Sequence, residues 1–75
     1  MTEQVKQAYL HIASDINRRA TQKNLQDCLW ALDVLDYAAK SEMGLSDEEK
    51  GVVRGDISSI KARTTRKVAP YSNHR

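Results

Sequence analysis

Apolar residues recur every three or four positions over most of the chain, which is the spacing of helices that bury one face. A first such segment covers about residues 3–20, with Thr2 placed to cap it. Its apolar positions form one stripe, made of Val5, Ala8, Tyr9, Ile12, Ile16 and Ala20. Residues 21–24 contain no apolar side chain, and Asn24 is a suitable cap for a second helix. The pattern favours a break there, although one bent helix would have the same apolar spacing.

The second segment, about residues 24–42, is apolar on two sides when its residues are placed at 100° intervals around a helix. One side carries Leu25, Cys28, Leu29, Leu32, Leu35 and Ala39. The opposite side carries Trp30, Val34, Tyr37 and Ala38. Two interpretations stay open. Either this helix lies in the middle of a bundle and buries both sides, or the Trp30 side is an interface, since tryptophan and tyrosine are enriched at binding hot spots.

One charged residue interrupts the leucine side of the second helix. Asp36 projects close to that stripe, where a charge is costly unless it reaches water or meets an opposite charge. It either lies at the edge of the stripe and is solvated, or pairs with a base of another helix. Arg19 and Arg63 are the candidates for such a pair.

A turn and a third helix follow. Gly44 stands where a helix C-terminus often needs a residue with positive φ. Ser46, with Glu49 three residues later, forms a capping box, so we expect the third helix to begin at Asp47. Its low-propensity threonines predict that it weakens over residues 63–67.

The third helix is thinly apolar. Its stripe consists of Val53, Ile57, Ile60 and Thr64, and another side carries only the small residues Gly51, Gly55, Ser58, Ser59 and Ala62. Each glycine costs about 1 kcal/mol of helix stability relative to alanine. Either the small side lets a neighbouring helix approach closely, or the glycines only weaken the helix.

These segments predict an all-α protein, either a helical hairpin or a small three-helix bundle. Residues 1–69 are expected to form a single domain, and residues 70–75, which begin with Pro70, a disordered basic tail. A chain of 75 residues hides only about 60% of its unfolded surface, so a monomeric core is marginal. Because Cys28 is the only cysteine, no internal disulfide can compensate, and we expect a homodimer or a complex with another protein.

Charge is distributed unevenly along the chain. Residues 24–49 contain seven acids and one base, whereas residues 50–75 contain seven bases and one acid. The two stretches can attract each other within one molecule and hold the third helix against the second. They can also attract each other between molecules, in an antiparallel dimer or an open chain.

The residues that carry most enzyme chemistry are scarce. His11 and His74 are the only histidines, and Cys28 lies on an apolar stripe, where a thiol usually behaves as a small buried hydrophobe. No Cys/His cluster has the spacing of a metal site, and no glycine-rich phosphate loop is present. We therefore expect no enzyme activity, cofactor, metal or small-molecule substrate. The chain lacks a signal-peptide pattern and an apolar stretch of membrane-spanning length, which predicts a cytoplasmic protein.

Two functions remain. The first is a regulatory or adaptor module that binds a larger protein, itself, or both, through the apolar anchors Trp30, Val34 and Tyr37, with Arg54 and Lys61 as electrostatic complement. The alternative is nucleic-acid binding without sequence reading, through the basic residues Lys61, Arg63, Arg66 and Lys67. A helix-turn-helix is disfavoured, since the acids at positions 47–49 occupy the helix N-terminus that would enter the major groove.

In size and helical-hairpin form the chain resembles the short helical regulators of phages, plasmids and bacterial control circuits. That resemblance implies a modulator of a larger bacterial protein. The turn at residues 44–49 is similar to the turn of the small aspartyl-phosphate phosphatases that act on sporulation phosphorelays. Their Ser-Gln-Glu-Leu-Asp signature is replaced here by Arg54-Gly55-Asp56-Ile57-Ser58, so no activity is carried over.

Overall fold

The computed structural model describes residues 2–68, which form three helices joined by short turns. Helix α1 spans Thr2–Arg19, α2 spans Leu25–Lys40 and α3 spans Asp47–Val68. Helix α2 runs antiparallel to both others, and every pair of helices is in contact. The predicted all-α fold and the break after the first helix are confirmed. The predicted tail, residues 70–75, lies outside the described residues.

The hydrophobic core lies along the line where the three helices meet. It consists of Ala13, Ala20, Leu32, Ala39, Leu45, Val53, Ile57, Ile60 and Val68. The leucine side of α2 and the thin stripe of α3 therefore face inward, as the periodicity predicts. On α1 the stripe is displaced by one position, because Ala13 is buried whereas Ala8 and Ile12 are exposed. The reason is that α1 contacts two helices at once, so the centre of its buried arc falls between them.

The end of α3 differs from the prediction. The helix continues through residues 63–67 to Val68, because Thr64 is fully buried and its hydroxyl has partners on both sides. Thr64 Oγ1 donates to the carbonyl of Ile60 at 2.7 Å and accepts a hydrogen bond from Asn17 Nδ2 at 2.7 Å. This contact docks the last turns of α3 against α1, and tertiary packing outweighs the low helix propensity of threonine.

Asn24 closes the loop between α1 and α2 instead of capping α2. Its side chain makes no capping hydrogen bond to α2. Its Oδ1 accepts from the backbone N–H of Thr21 at 2.7 Å, and its Nδ2 donates to the carbonyl of Arg19 at 3.1 Å. The predicted boundary is correct, but the side chain stabilises the end of α1.

The turn between α2 and α3 is held by a carboxylate. No glycine in residues 2–68 has positive φ, so the expected left-handed cap at Gly44 is wrong. Instead, the Glu42 carboxylate accepts hydrogen bonds from the Gly44 N–H at 3.0 Å and from the Tyr9 hydroxyl at 2.7 Å. The predicted capping box is confirmed, since Ser46 N donates to Glu49 Oε1 at 2.8 Å and Glu49 N donates to Ser46 Oγ at 3.2 Å.

The Tyr9–Glu42 contact makes stability depend on pH. The Tyr9 hydroxyl, and after it the Gly44 N–H, lowers the pKa of Glu42 below its ordinary value of 4.5. Such a group stabilises the fold above its unfolded pKa, and this contribution is lost as pH falls through its folded pKa. Burial, and then Glu42, raises the pKa of Tyr9 from 10.0 to about 12. Its contribution is complete below pH 10.0 and is lost as pH rises towards about 12.

We expect Glu42→Gln to reduce the free energy of unfolding at neutral pH and to have a smaller effect as pH falls, because Glu42 then becomes protonated. Urea denaturation between about pH 7 and about pH 3 measures this difference. Glu48→Gln is the matched control, because Glu48 is exposed and its side chain forms no hydrogen bond within residues 2–68. If wild type and Glu42→Gln differ in free energy of unfolding by the same amount at both pH values, the ionised Glu42 carboxylate does not stabilise the fold.

The small side of α3 faces solvent. A Cβ built on Gly51 or Gly55 has no atom within 4 Å, so no helix of residues 2–68 approaches that side closely. We therefore expect Gly55→Ala to raise the free energy of unfolding by about 1 kcal/mol, as measured by urea denaturation. Gly44→Ala is the control: its Cβ would lie 3.1 Å from Glu42 Oε2 and disturb the turn, so no gain is expected. A loss of stability in Gly55→Ala would show that the space around position 55 is not open.

Candidate functional site

The side of α2 that carries Trp30, Val34 and Tyr37, called here the aromatic face, points away from the core. These side chains are 70%, 47% and 68% exposed, respectively. They lie at i, i+4 and i+7, within about 60° of the helix circumference, and so form one continuous strip. Leu32 and Ala39, on the opposite side, are completely buried. Of the two interpretations of this side, burial within the bundle is excluded for residues 2–68.

Two ion pairs join α2 to α3 beside the aromatic face. Asp36 accepts two hydrogen bonds from Arg54, at 3.0 Å from Nε and 3.2 Å from Nη2. One helical turn away, Asp33 Oδ1 lies 2.7 Å from Lys61 Nζ. Asp36 raises the pKa of Arg54, first through the hydrogen bonds and then through its charge. These contacts line an open groove of about 390 Å³ between the two helices.

The partner of Asp36 differs from the sequence-based candidates. Arg19 pairs with Asp15 of its own helix at 3.2 Å, and Arg63 is exposed. Arg54 pairs with Asp36 instead, because the antiparallel arrangement brings the second turn of α3 beside the third turn of α2. The acidic and basic stretches of the sequence thus attract each other within one molecule at two points.

Those ion pairs change the predicted roles of two residues. Arg54 and Lys61 were expected to complement a partner, but each already neutralises an aspartate of α2. Their first role is to hold α3 against α2 in one register. The three apolar anchors of the predicted site are brought together on one surface, whereas its two bases line the neighbouring groove.

A second surface arises where α1 and α3 end. Lys67 Nζ donates to the carbonyls of Asn17 at 2.7 Å and Arg18 at 3.3 Å, so the last turns of the two helices are adjacent. This basic end comprises residues 15–27 and 61–68, with seven bases against two acids and a net charge of +5. The bases are Arg18, Arg19, Lys23, Lys61, Arg63, Arg66 and Lys67.

Of the four bases predicted to contact nucleic acid, Arg63 and Arg66 are exposed and form no hydrogen bond or ion pair within residues 2–68. Lys61 is engaged by Asp33, and Lys67 by the end of α1. Sequence reasoning did not include the bases at positions 18, 19 and 23. The sequence shows that α1 ends in basic residues, but only the tertiary structure shows that this end lies beside the end of α3.

The remaining reactive groups are dispersed. Cys28 is half-buried and its thiol lies 3.4 Å from Asn24 Oδ1, while His11 is exposed. Within the part of the chain that the structure describes, no three His, Cys, Asp or Glu side chains are grouped to hold a metal ion. None of the helices in residues 2–68 combines the length and the apolarity needed to cross a bilayer.

Comparison with known proteins gives no match: no family model, no curated protein and no solved structure is significantly similar to this chain.

Proposed function

We propose that this protein is a small non-catalytic module that acts by protein–protein contact through the aromatic face of α2. The supporting observation is that Trp30, its only tryptophan, and Tyr37, its most exposed tyrosine among the described residues, lie in solvent on one side of α2 with Val34 between them. Single exposed apolar residues are ordinary, but adjacent large ones mark interaction surfaces. Tryptophan and tyrosine in particular contribute much of the binding free energy at such surfaces.

A second copy of the chain is the occupant that the composition of the core favours. Among residues 2–68, three of the nine buried apolar residues are alanines, and none is aromatic. Domains of this length have little apolar area to bury and often gain stability from a partner subunit. Covering Trp30 and Tyr37 with the same face of another copy would supply burial that the single chain lacks.

Charges at the ends of the aromatic face favour an antiparallel pair. Asp27 precedes Trp30 by three residues, and Lys40 follows Tyr37 by three. In an antiparallel pair centred near Val34, Trp30 of one copy lies at the level of Tyr37 of the other, and Asp27 at the level of Lys40. A parallel pair would place each of these charges beside its own counterpart. Asp33 approaches its counterpart in the antiparallel pair, where Lys61 of each copy balances the charge.

The single tryptophan provides the test of self-association. Sedimentation equilibrium over a dilution series should show a monomer–dimer transition, and Trp30 emission should shift to shorter wavelength over the same concentrations as the indole leaves water. A wild-type chain that stays monomeric, with constant emission, would exclude the second copy. A larger protein would then be the occupant to test on the same face.

A further inference from the structure

We infer that the basic end of the bundle binds the phosphate backbone of double-helical nucleic acid without reading its sequence. Apart from Lys61, which pairs with Asp33 beside the aromatic face, the bases of this surface lie outside the proposed dimer contact, so the inference does not depend on self-association. It differs from the sequence-based hypothesis in its residues, because the site is built from two chain segments that only the fold brings together.

The first argument is charge. The basic end has a net charge of +5, while the opposite end, residues 2–8 and 40–50, contains five acids and three bases. The molecule therefore presents one strongly positive pole to solvent. Arg18 and Arg19 are 71% and 74% exposed, and their ion pairs to Asp15 are of the surface type that contributes little free energy. Both guanidinium groups can therefore exchange that partner for a phosphate at low cost.

The second argument is the absence of an apolar anchor. No exposed large apolar residue of the described chain belongs to the basic end, since these are Ile12, Trp30, Val34, Tyr37, Met43 and Val52. Protein–protein interfaces need an apolar centre, and single-strand binding usually uses aromatic side chains on which bases stack. A surface with arginines and lysines but without such anchors fits the regular phosphates of a duplex.

The third argument concerns how the surface would dock. The N-terminus of α3, with acids at positions 47–49, lies at the opposite pole. The N-terminus of α3 therefore cannot enter the major groove as a recognition helix does when this end of the bundle contacts the duplex. Contacts from the ends of α1 and α3 position the protein on the backbone and carry no sequence information.

The test is fluorescence anisotropy of a labelled DNA duplex of about 20 base pairs, titrated with the full chain at two salt concentrations. About four phosphate contacts predict a loss of affinity of about 100-fold between about 50 and 200 mM salt. Arg18→Gln with Arg19→Gln, and Arg63→Gln with Arg66→Gln, should each weaken binding about tenfold and lower the salt slope by about two. The matched control, Lys40→Gln with Lys50→Gln, removes the same charge from the opposite pole and should change affinity less than about twofold.

Four results would overturn the inference. They are no binding at the lower salt, an equal loss in the control pair, tighter binding of a single strand of equal length, or equally effective displacement of the duplex by polyglutamate. Circular dichroism melting verifies that each variant is folded. The side chains of Arg63 and Arg66 are exposed and make no hydrogen bond or ion pair within residues 2–68, so the Arg63→Gln/Arg66→Gln variant still tests the inference if the variant in α1 unfolds.

Discussion

Replacing Leu32 with alanine is expected to lower the free energy of unfolding by about 2–5 kcal/mol. Leu32 is completely buried and is the largest side chain of α2 in the core, where it packs between the other two helices. A domain of this length has a total stability of roughly 4–11 kcal/mol, so the loss is a large share of it. The neighbouring core residues relax only partly after such a deletion, so a cavity remains and adds to the loss.

Urea and thermal denaturation followed by circular dichroism measure this loss. Leu29→Ala is the matched control, because Leu29 lies on the same side of α2 but is only half-buried. It should cost clearly less, since the transfer contribution falls with exposed area and water fills part of the space. Equal losses at the two positions would show that Leu32 is not at the centre of the core.

Replacing both Trp30 and Tyr37 with alanine is expected to raise the dissociation constant of the proposed dimer by at least about 100-fold. Each truncation would remove a large aromatic contact from the centre of the proposed interface, and an antiparallel pair would contain each contact twice. The fold itself should change little, because both side chains project into solvent in the single chain. This combination of lost association and preserved helicity distinguishes an interface from a core.

Sedimentation equilibrium and circular dichroism, applied to the same samples, separate these outcomes. The control removes apolar area elsewhere on the surface, through Ile12→Ala combined with Val52→Ala, and should leave association unchanged. If the control dissociates the dimer equally, the face is not the site of contact. If the aromatic variant loses its helices, Trp30 and Tyr37 support the fold instead.

Much of the architecture follows from local patterns. The period of the apolar residues predicts three helices, and the Ser46–Glu49 capping box places the start of α3, because such a cap satisfies free backbone groups from within four residues. Predictions that rested on one residue acting alone were less successful. Gly44 does not adopt positive φ, and its N–H donates to the Glu42 carboxylate instead. Asn24 makes no side-chain cap on α2, because its amide bonds to Thr21 and Arg19 on the other side of the turn.

For the candidate surfaces, too, some features follow from the sequence and others only from the packing. The sequence by itself determined the residue types: an aromatic strip on α2, a thin stripe on α3 and opposite charges in the two halves of the chain. Only the tertiary structure decided that the aromatic strip faces solvent, because a helix with two apolar sides can bury only the side that its neighbours reach. The packing also places Arg54 beside Asp36 and brings the ends of α1 and α3 together into one basic pole. These relations depend on the antiparallel register of distant segments, which local periodicity does not contain.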